Sequence, residues 1–334
     1  MVAKVQQLSK GDTEKKTPTQ VPENKPLAYH AYTIWLFARR DIASIVLPET
    51  CFGIFSALAG PLLTTNPHPT VLSIISRIPL VLIWNWLNVL LFGIANQRLP
   101  QSVLEDSINK SWRPLPAGRL TQTDARRLLL AVIPAVFAAS WLLGGMPETV
   151  ALMVLTWMYN DLGAADEHFH VRNLINACGF MCYSSGATTV AAGYRRYALN
   201  STAYTWIGMI GAIVLSSLSL QDLPDVEGDA ATGRLTLPLL HGDAVARWAI
   251  AVPVLLWSLV CPAFWQLSWP GWLVSGGFGA LVAFRVLLKR GVVADKVSWK
   301  LWCLWTAVLY SLPLFKNGSA LVECGLGLIK GMGF

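Results

Sequence analysis

The sequence predicts an all-α, polytopic membrane protein. Apolar stretches of helix length recur along nearly the whole chain, and Lys and Arg gather in the connections between them. Of the 334 residues, 54% are hydrophobic and 13% are charged, with fifteen tryptophans. A soluble domain carries about 25% charged residues, so this composition belongs to a chain that uses lipid as solvent. The net charge of +7 does not signal nucleic acid, because the basic residues flank hydrophobic spans, where membrane topology accounts for them. The lipid bilayer is the expected partner, and no nucleic acid is.

The first 30 residues are polar, with Lys10, Lys15, Lys16 and Lys25 set among acids and prolines. They read as a disordered arm with no cleavable signal peptide. Residues 35–41, WLFARRD, form an aromatic and basic lead-in to the membrane. The spans expected next cover 42–61, 71–95, 125–143, 149–162, 174–193, 204–220, 244–267, 272–288 and 297–315. That makes nine helices in a domain over 31–316, followed by a tail over 317–334. Pro48 and Pro79 predict kinks in the first two spans, and Thr121 or Thr123 is placed to cap the third. The six cysteines are scattered, mostly within apolar segments, and read as buried thiols rather than a disulfide or zinc framework.

Topology follows from the cations. The arm and the connections after spans two, four, six and eight share one side and hold Arg39, Arg40, Arg98, Lys110, Arg113, Arg119, Arg172, Arg234, Lys289, Arg290 and Lys296. The opposite connections hold little beyond Arg195 and Arg196. The excess of positive charge puts the basic side in the cytosol. The endoplasmic reticulum is the expected location.

The most informative stretch is 219–236, SLQDLPDVEGDAATGRLT. Asp222, Asp225 and Asp229 stand at i, i+3 and i+7, which gathers three carboxylates on one helix face or at one helix end. Like charges this close repel, whereas Mg²⁺ takes carboxylate oxygens and shares itself with substrate phosphates. Two further polar connections fall on the same side. The first runs from Asn96 to Arg119, where Glu105 and Asp106 lie one turn before Asn109, with Lys110, Arg113 and Arg119 beside them. The second follows span four and offers Tyr159 as a hydroxyl facing the cavity and Arg172 as a phosphate contact. His168 and His170, two residues apart, share no helix face and are not expected to hold zinc. Acids and cations together at the mouth of a helical bundle suit a Mg²⁺-bound diphosphate whose apolar tail runs down among the helices. An allylic diphosphate fits best, because aromatic faces stabilise the cation left when it ionises. Trp84, Trp86, Trp157, Phe180 and Tyr183 are candidates to line that cavity.

These motifs resemble those of the UbiA superfamily of intramembrane prenyltransferases over about residues 32–316. The second aspartate motif with Gly233, Arg234, Thr236 and Pro238 after it is similar to the family's pattern. So is the run Asn109-Lys110-x-Trp112-Arg113-Pro114-x-Pro116-x-Gly118-Arg119. The resemblance implies nine transmembrane helices and two aspartate-rich motifs at cytosolic helix ends. It implies that Asp222, Asp225 and Asp229, joined by Asn96 and Asp106, bind Mg²⁺–diphosphate, and that Lys110, Arg113, Arg172 and Arg234 touch phosphate oxygens. The first motif departs from the family. Asn96 is followed by Gln97 and Pro100 rather than acids, and the acids come late, as Glu105 and Asp106. Either metal binding is lopsided, or Glu105 and Asp106 move into the role.

This variant resembles a fungal branch that includes membrane-bound sesquiterpene cyclases of the fumagillin-pathway kind. The expected activity is therefore a Mg²⁺-dependent cyclisation of farnesyl diphosphate, with Asp222, Asp225, Asp106 and Tyr159 as the catalytic set. The alternative is transfer of the prenyl group to an aromatic or other small acceptor. A transporter or lipid-binding protein is disfavoured, since the charges cluster at one face and no internal repeat is visible.

Overall fold

The computed structural model describes residues 25–316, and regular structure within them is entirely helical apart from one isolated bridge between Thr64 and Leu199. Cys324 and the tail lie outside the described residues. Helix α1 (Leu27–Ala38) begins inside the stretch expected to be an unstructured arm, and is followed by a π-helical segment (Ile42–Val46) and α2 (Leu47–Leu58). The two parts of this first span meet at a 56° bend. Pro48 sits in the first turn of α2, directly after the π-helical turn, where the regular i→i−4 ladder is already interrupted. Pro79 acts in the same way. The second span breaks into α3 (Val71–Ile75) and α4 (Ile78–Gln97), with the proline in the first turn of α4.

The remaining elements are α5 (Pro100–Asn109), α6 (Gln122–Leu143), α7 (Met146–Asn160), α8 (Phe169–Ala192), α9 (Ser201–Ser217) with a 3₁₀ turn (Leu218–Asp222), α10 (Val226–Thr232), α11 (Leu237–His241), α12 (Asp243–Phe264), α13 (Trp269–Leu288) and α14 (Val292–Lys316). Thr121, not Thr123, caps α6. Its hydroxyl accepts from the Asp124 amide at 3.1 Å, and the Asp124 carboxylate accepts in turn from the Thr121 amide at 3.3 Å.

Each expected span falls on helical structure, the first two on more than one segment. Among the described residues, however, only five helices are long and apolar enough to cross a membrane unaided, or six with the bent first pair. The other three fall short for physical reasons. Helix α7 has only 15 residues, α8 carries Asn173, Asn176, Ser184, Ser185, Thr188 and Thr189, and α14 carries Asp295, Lys296 and Lys300. The polar positions of α8 turn inward, where Ser184 and Thr188 are fully buried.

Helix α8 is the hub, packing against α2, α4, α7 and α9, while α12, α13 and α14 continue the bundle round to α2. Close approach is arranged by small residues. A Cβ on Gly53 of α2 would lie 2.6 Å from the Ala187 backbone, and one on Gly186 would lie 2.1 Å from the Trp84 ring. The joint between α2, α8 and α14 is polar. Glu49 is fully buried and accepts hydrogen bonds from the Ser184 hydroxyl at 2.7 Å and the Tyr310 hydroxyl at 2.8 Å.

Candidate active site

One end of the bundle gathers the polar connections around a single cavity of about 900 Å³, its open mouth included. The chain supplies it from five places, one of them Trp299 of α14. The break after α1 brings Arg40, and the end of α4 with the α5 region brings Asn96, Gln97, Glu105, Lys110 and Arg113. The ends of α7 and α8 bring Tyr159, Arg172 and Asn176, while the segment from the 3₁₀ turn to Arg234 brings Asp222, Asp225 and Asp229. The three aspartates share the cavity because the helix is interrupted between them. Asp222 closes the 3₁₀ turn, Asp225 precedes α10, and Asp229 lies within it. Glu227, between them, is exposed.

Asp222, Asp225, Asp229 and Glu105 each meet a cation. Asp222 pairs with Arg172. Asp225 lies 3.1 Å from both Arg40 and Lys110. Glu105 is 2.8 Å from Arg234 and 3.4 Å from Lys110, and Arg234 also reaches Asp229 at 3.1 Å and Asp166 at 3.2 Å. Burial alone would push these acids up. For Asp225 the charges of Arg40 and Lys110 outweigh it and hold the carboxyl below its ordinary value, as Lys110 and Arg234 do for Glu105. Asp229 goes the other way, with burial and the nearby Asp222 charge raising it to about 7. Lys110 is lowered, by burial and by its neighbours Arg40 and Arg113.

Asn96, Glu105, Lys110, Arg113, Tyr159, Arg172, Asp222, Asp225, Asp229 and Arg234 are thus brought together as lining residues. Asp106 and Asn109 are not. The Asp106 carboxylate is buried behind the wall, where both its oxygens accept from Arg113 Nη1 at 2.8 Å. This corrects its expected place among the groups that meet the ligand. Asn109 donates to the Asp225 carbonyl at 3.1 Å and so anchors the acidic segment, its side chain lying in the wall of a neighbouring cavity rather than of this one. The segment comes this close because residue 228 is glycine: a Cβ there would lie 2.1 Å from the Asn109 amide. Arg40 was missed as a site residue, since beside Arg39 at a membrane entry it reads as a topology anchor. Gln97 replaces an acid and is tied to the Phe37 carbonyl at 2.9 Å.

The residues fit a hard cation. Their donors are all oxygen, and Asp229 Oδ2 is buried without a hydrogen-bond partner at the cavity wall. Among the described residues no three acidic, His or Cys side chains converge on one point, because cations hold the carboxylates apart. His168 caps α8 through its ring nitrogen, accepting from the His170 amide.

Below the mouth the cavity continues into an apolar chamber between α4, α7 and α8, lined by Phe92, Leu152, Leu155, Ile175, Phe180 and Tyr183, with Tyr159 and Asn176 at the join. Phe180 and Tyr183 are in the expected lining. Trp84 is not, being buried in the core against Gly145 and Gly186. Trp86 packs into the core clusters beside α4, and Trp157 faces outward at 55% exposure. Phe92 takes the place expected of a tryptophan.

The chain was compared with known proteins. The UbiA prenyltransferase family model matches residues 54–305. Somaliensene A/B synthase of Streptomyces somaliensis is 30% identical over 84% of this chain and 91% of its own. Fumagillin beta-trans-bergamotene synthase of Aspergillus fumigatus is 32% identical over 70% of this chain and 75% of its own. A polyprenyl transferase of Hericium erinaceus is 30% identical over 81% of this chain and 90% of its own. In fold, the chain resembles a UbiA homologue from Archaeoglobus fulgidus solved with GPP and Mg²⁺, at a TM-score of 0.57 and 10% identity over 84% of this chain and 99% of that one. With helices, motifs and family match in agreement, the chain belongs to the UbiA prenyltransferase family.

Proposed function

We propose that this protein is a Mg²⁺-dependent, membrane-bound terpene cyclase that ionises farnesyl diphosphate and closes the cation on its own chain, releasing diphosphate. The observation that carries this reading is a strongly charged mouth set directly against an apolar, aromatic chamber, the two sharing Phe92, Tyr159, Asn176 and Phe180 in their walls. Arg172, Arg234, Lys110, Arg40 and Arg113 all reach the mouth and supply donors for diphosphate oxygens as the C–O bond breaks. Bound Mg²⁺ would add Lewis-acid neutralisation of the leaving group, held by Asp222, Asp225 and Asp229 with Asn96 and Glu105 opposite. Phe92, Phe180 and Tyr183 then offer ring faces to the cation. The departed diphosphate, held at the mouth beside the chamber, is the base this reading assigns to the final proton.

A nine-span fold with the charged mouth toward the cytosol of the endoplasmic reticulum completes the reading. The relatives named as terpene synthases support cyclisation. The polyprenyl transferase of comparable identity, together with the polar Thr156 and Asn176 in the chamber, favours a second reading, transfer to a small acceptor. The deciding experiment incubates membranes containing the protein with farnesyl diphosphate and Mg²⁺, without acceptor, and analyses the extract by gas chromatography–mass spectrometry. A metal-dependent C15 hydrocarbon absent from the Asp225→Ala control is expected. Farnesol alone, or no product, refutes the cyclase and directs the search to an acceptor.

A further inference from the structure

A second cavity of about 1330 Å³, open to solvent, adjoins the first between the α1–α2 break, the loop after α5 and the start of α14. The two share a wall formed by Asp225 with its partners Arg40 and Lys110. Their electrostatics differ. In the first cavity the cations are matched by acids. In the second, Asp225 is the lone acid in the lining, and Arg40 and Lys110 already neutralise it. Arg39, Lys296 and Lys300 face the same space, and among the described residues none of the three makes an ion pair or hydrogen bond. Arg39 instead lies over the Trp112 ring, 4.9 Å from its centroid, with Trp299 on the facing helix.

Three uncompensated cations directed into one concavity repel one another, and an anion with several acceptor oxygens relieves that repulsion. All three are exposed, but they open onto one common concavity rather than onto separate faces. We infer that this cleft is a second, separate phosphate-binding site, shaped for a phosphate or diphosphate group. Two sources carry that chemistry, the headgroup of an anionic lipid and free diphosphate. Trp112 and Trp299 suit the first by placing amphipathic rings at the height of a membrane surface. The wall shared with the first cavity suits the second. The inference does not rest on the proposed reaction.

The test uses the full-length protein without Mg²⁺ or prenyl substrate. Labelled inorganic diphosphate is titrated by equilibrium dialysis in detergent and counted per chain, two sites being expected in wild type and one when the second cavity loses its cations, and retention of phosphatidic acid is read by native mass spectrometry from nanodiscs of phosphatidylcholine with and without it. The triple variant Arg39→Ala/Lys296→Ala/Lys300→Ala is compared with wild type and with the charge-conserving Lys296→Arg/Lys300→Arg. Each such cation beside a phosphate contributes about fivefold, so the triple variant should lose roughly 100-fold in affinity while the conservative one keeps it. Loss confined to phosphatidic acid identifies a lipid headgroup, and loss confined to diphosphate identifies the soluble anion. All three residues are exposed or at the cleft rim, so an unchanged gel-filtration profile is expected. Unchanged binding of both probes overturns the site, as does equal loss in the conservative variant.

Discussion

The two acid-bearing connections at the mouth achieve different things with similar residues. In the segment from Asp222 to Asp229, three carboxylates at most seven positions apart all reach the cavity, and Asp229 keeps one oxygen unpartnered. In the connection from Asn96 to Arg113, the acids come on a separate helix, α5, and divide their work. Glu105 reaches the cavity, while Asp106 is spent on Arg113. Where the first connection lacks acids next to Asn96, it contributes cations and an anchor for its partner. The lesson is that a carboxylate's role follows from which donors saturate it, not from its place in a motif.

The largest effect that would break this comparison is on turnover. Asp222→Ala or Asp225→Ala should lower kcat/KM at least about 100-fold while membrane insertion and gel-filtration behaviour are unchanged, since a preorganised charge at a leaving group is worth that much. Near-normal product formation by either variant would remove the second connection from the chemistry. Next comes Asp106→Ala, which leaves Arg113 buried and unpaired at a cost of about 3–5 kcal/mol, and should appear as a clear drop in Tm. Activity lost without any drop in Tm would instead return Asp106 to the cavity. A further sharpening uses Mg²⁺ as a stabilising ligand. At about 100 times its Kd it should add about 2.7 kcal/mol to wild type and raise Tm, with the increment abolished in Asp225→Ala/Asp229→Ala. The smallest effect is expected for Asn109→Ala. Loss of its bond to the Asp225 carbonyl is worth about 1 kcal/mol, which predicts a several-fold fall in kcat/KM.

Much of this was legible in the sequence, and the limits have physical origins. The second motif declares itself because its acids are close in sequence and have no cations within the motif to explain them. The helices were legible as apolar runs, and the lining residues at the mouth because few polar groups survive at helix ends without a purpose. The chamber was harder. Helix α4 is apolar nearly all round, so polarity does not tell which face turns inward, and Phe92 rather than Trp84 or Trp86 proved to line the space. Arg40 was hidden because a cation at a membrane entry has a ready explanation in topology. The burial of Asp106 could not be read either, since its partner Arg113 lies across a turn whose geometry the spacing does not fix.

The Glu49 junction bears on how the molecule is assembled. Its two donors belong to α8 and to α14, the last described helix, whereas Glu49 itself lies on the first described span. During synthesis α2 enters the bilayer long before Tyr310 exists, and its carboxyl must wait in hydrocarbon with Ser184 as partner at most. Arrival of α14 supplies the second hydroxyl and, through Trp299, completes the wall of the mouth in the same step. The wall of the mouth is therefore finished only when α14 meets α2, and a chain interrupted before α14 lacks both Trp299 at the mouth and the Tyr310 hydroxyl on Glu49.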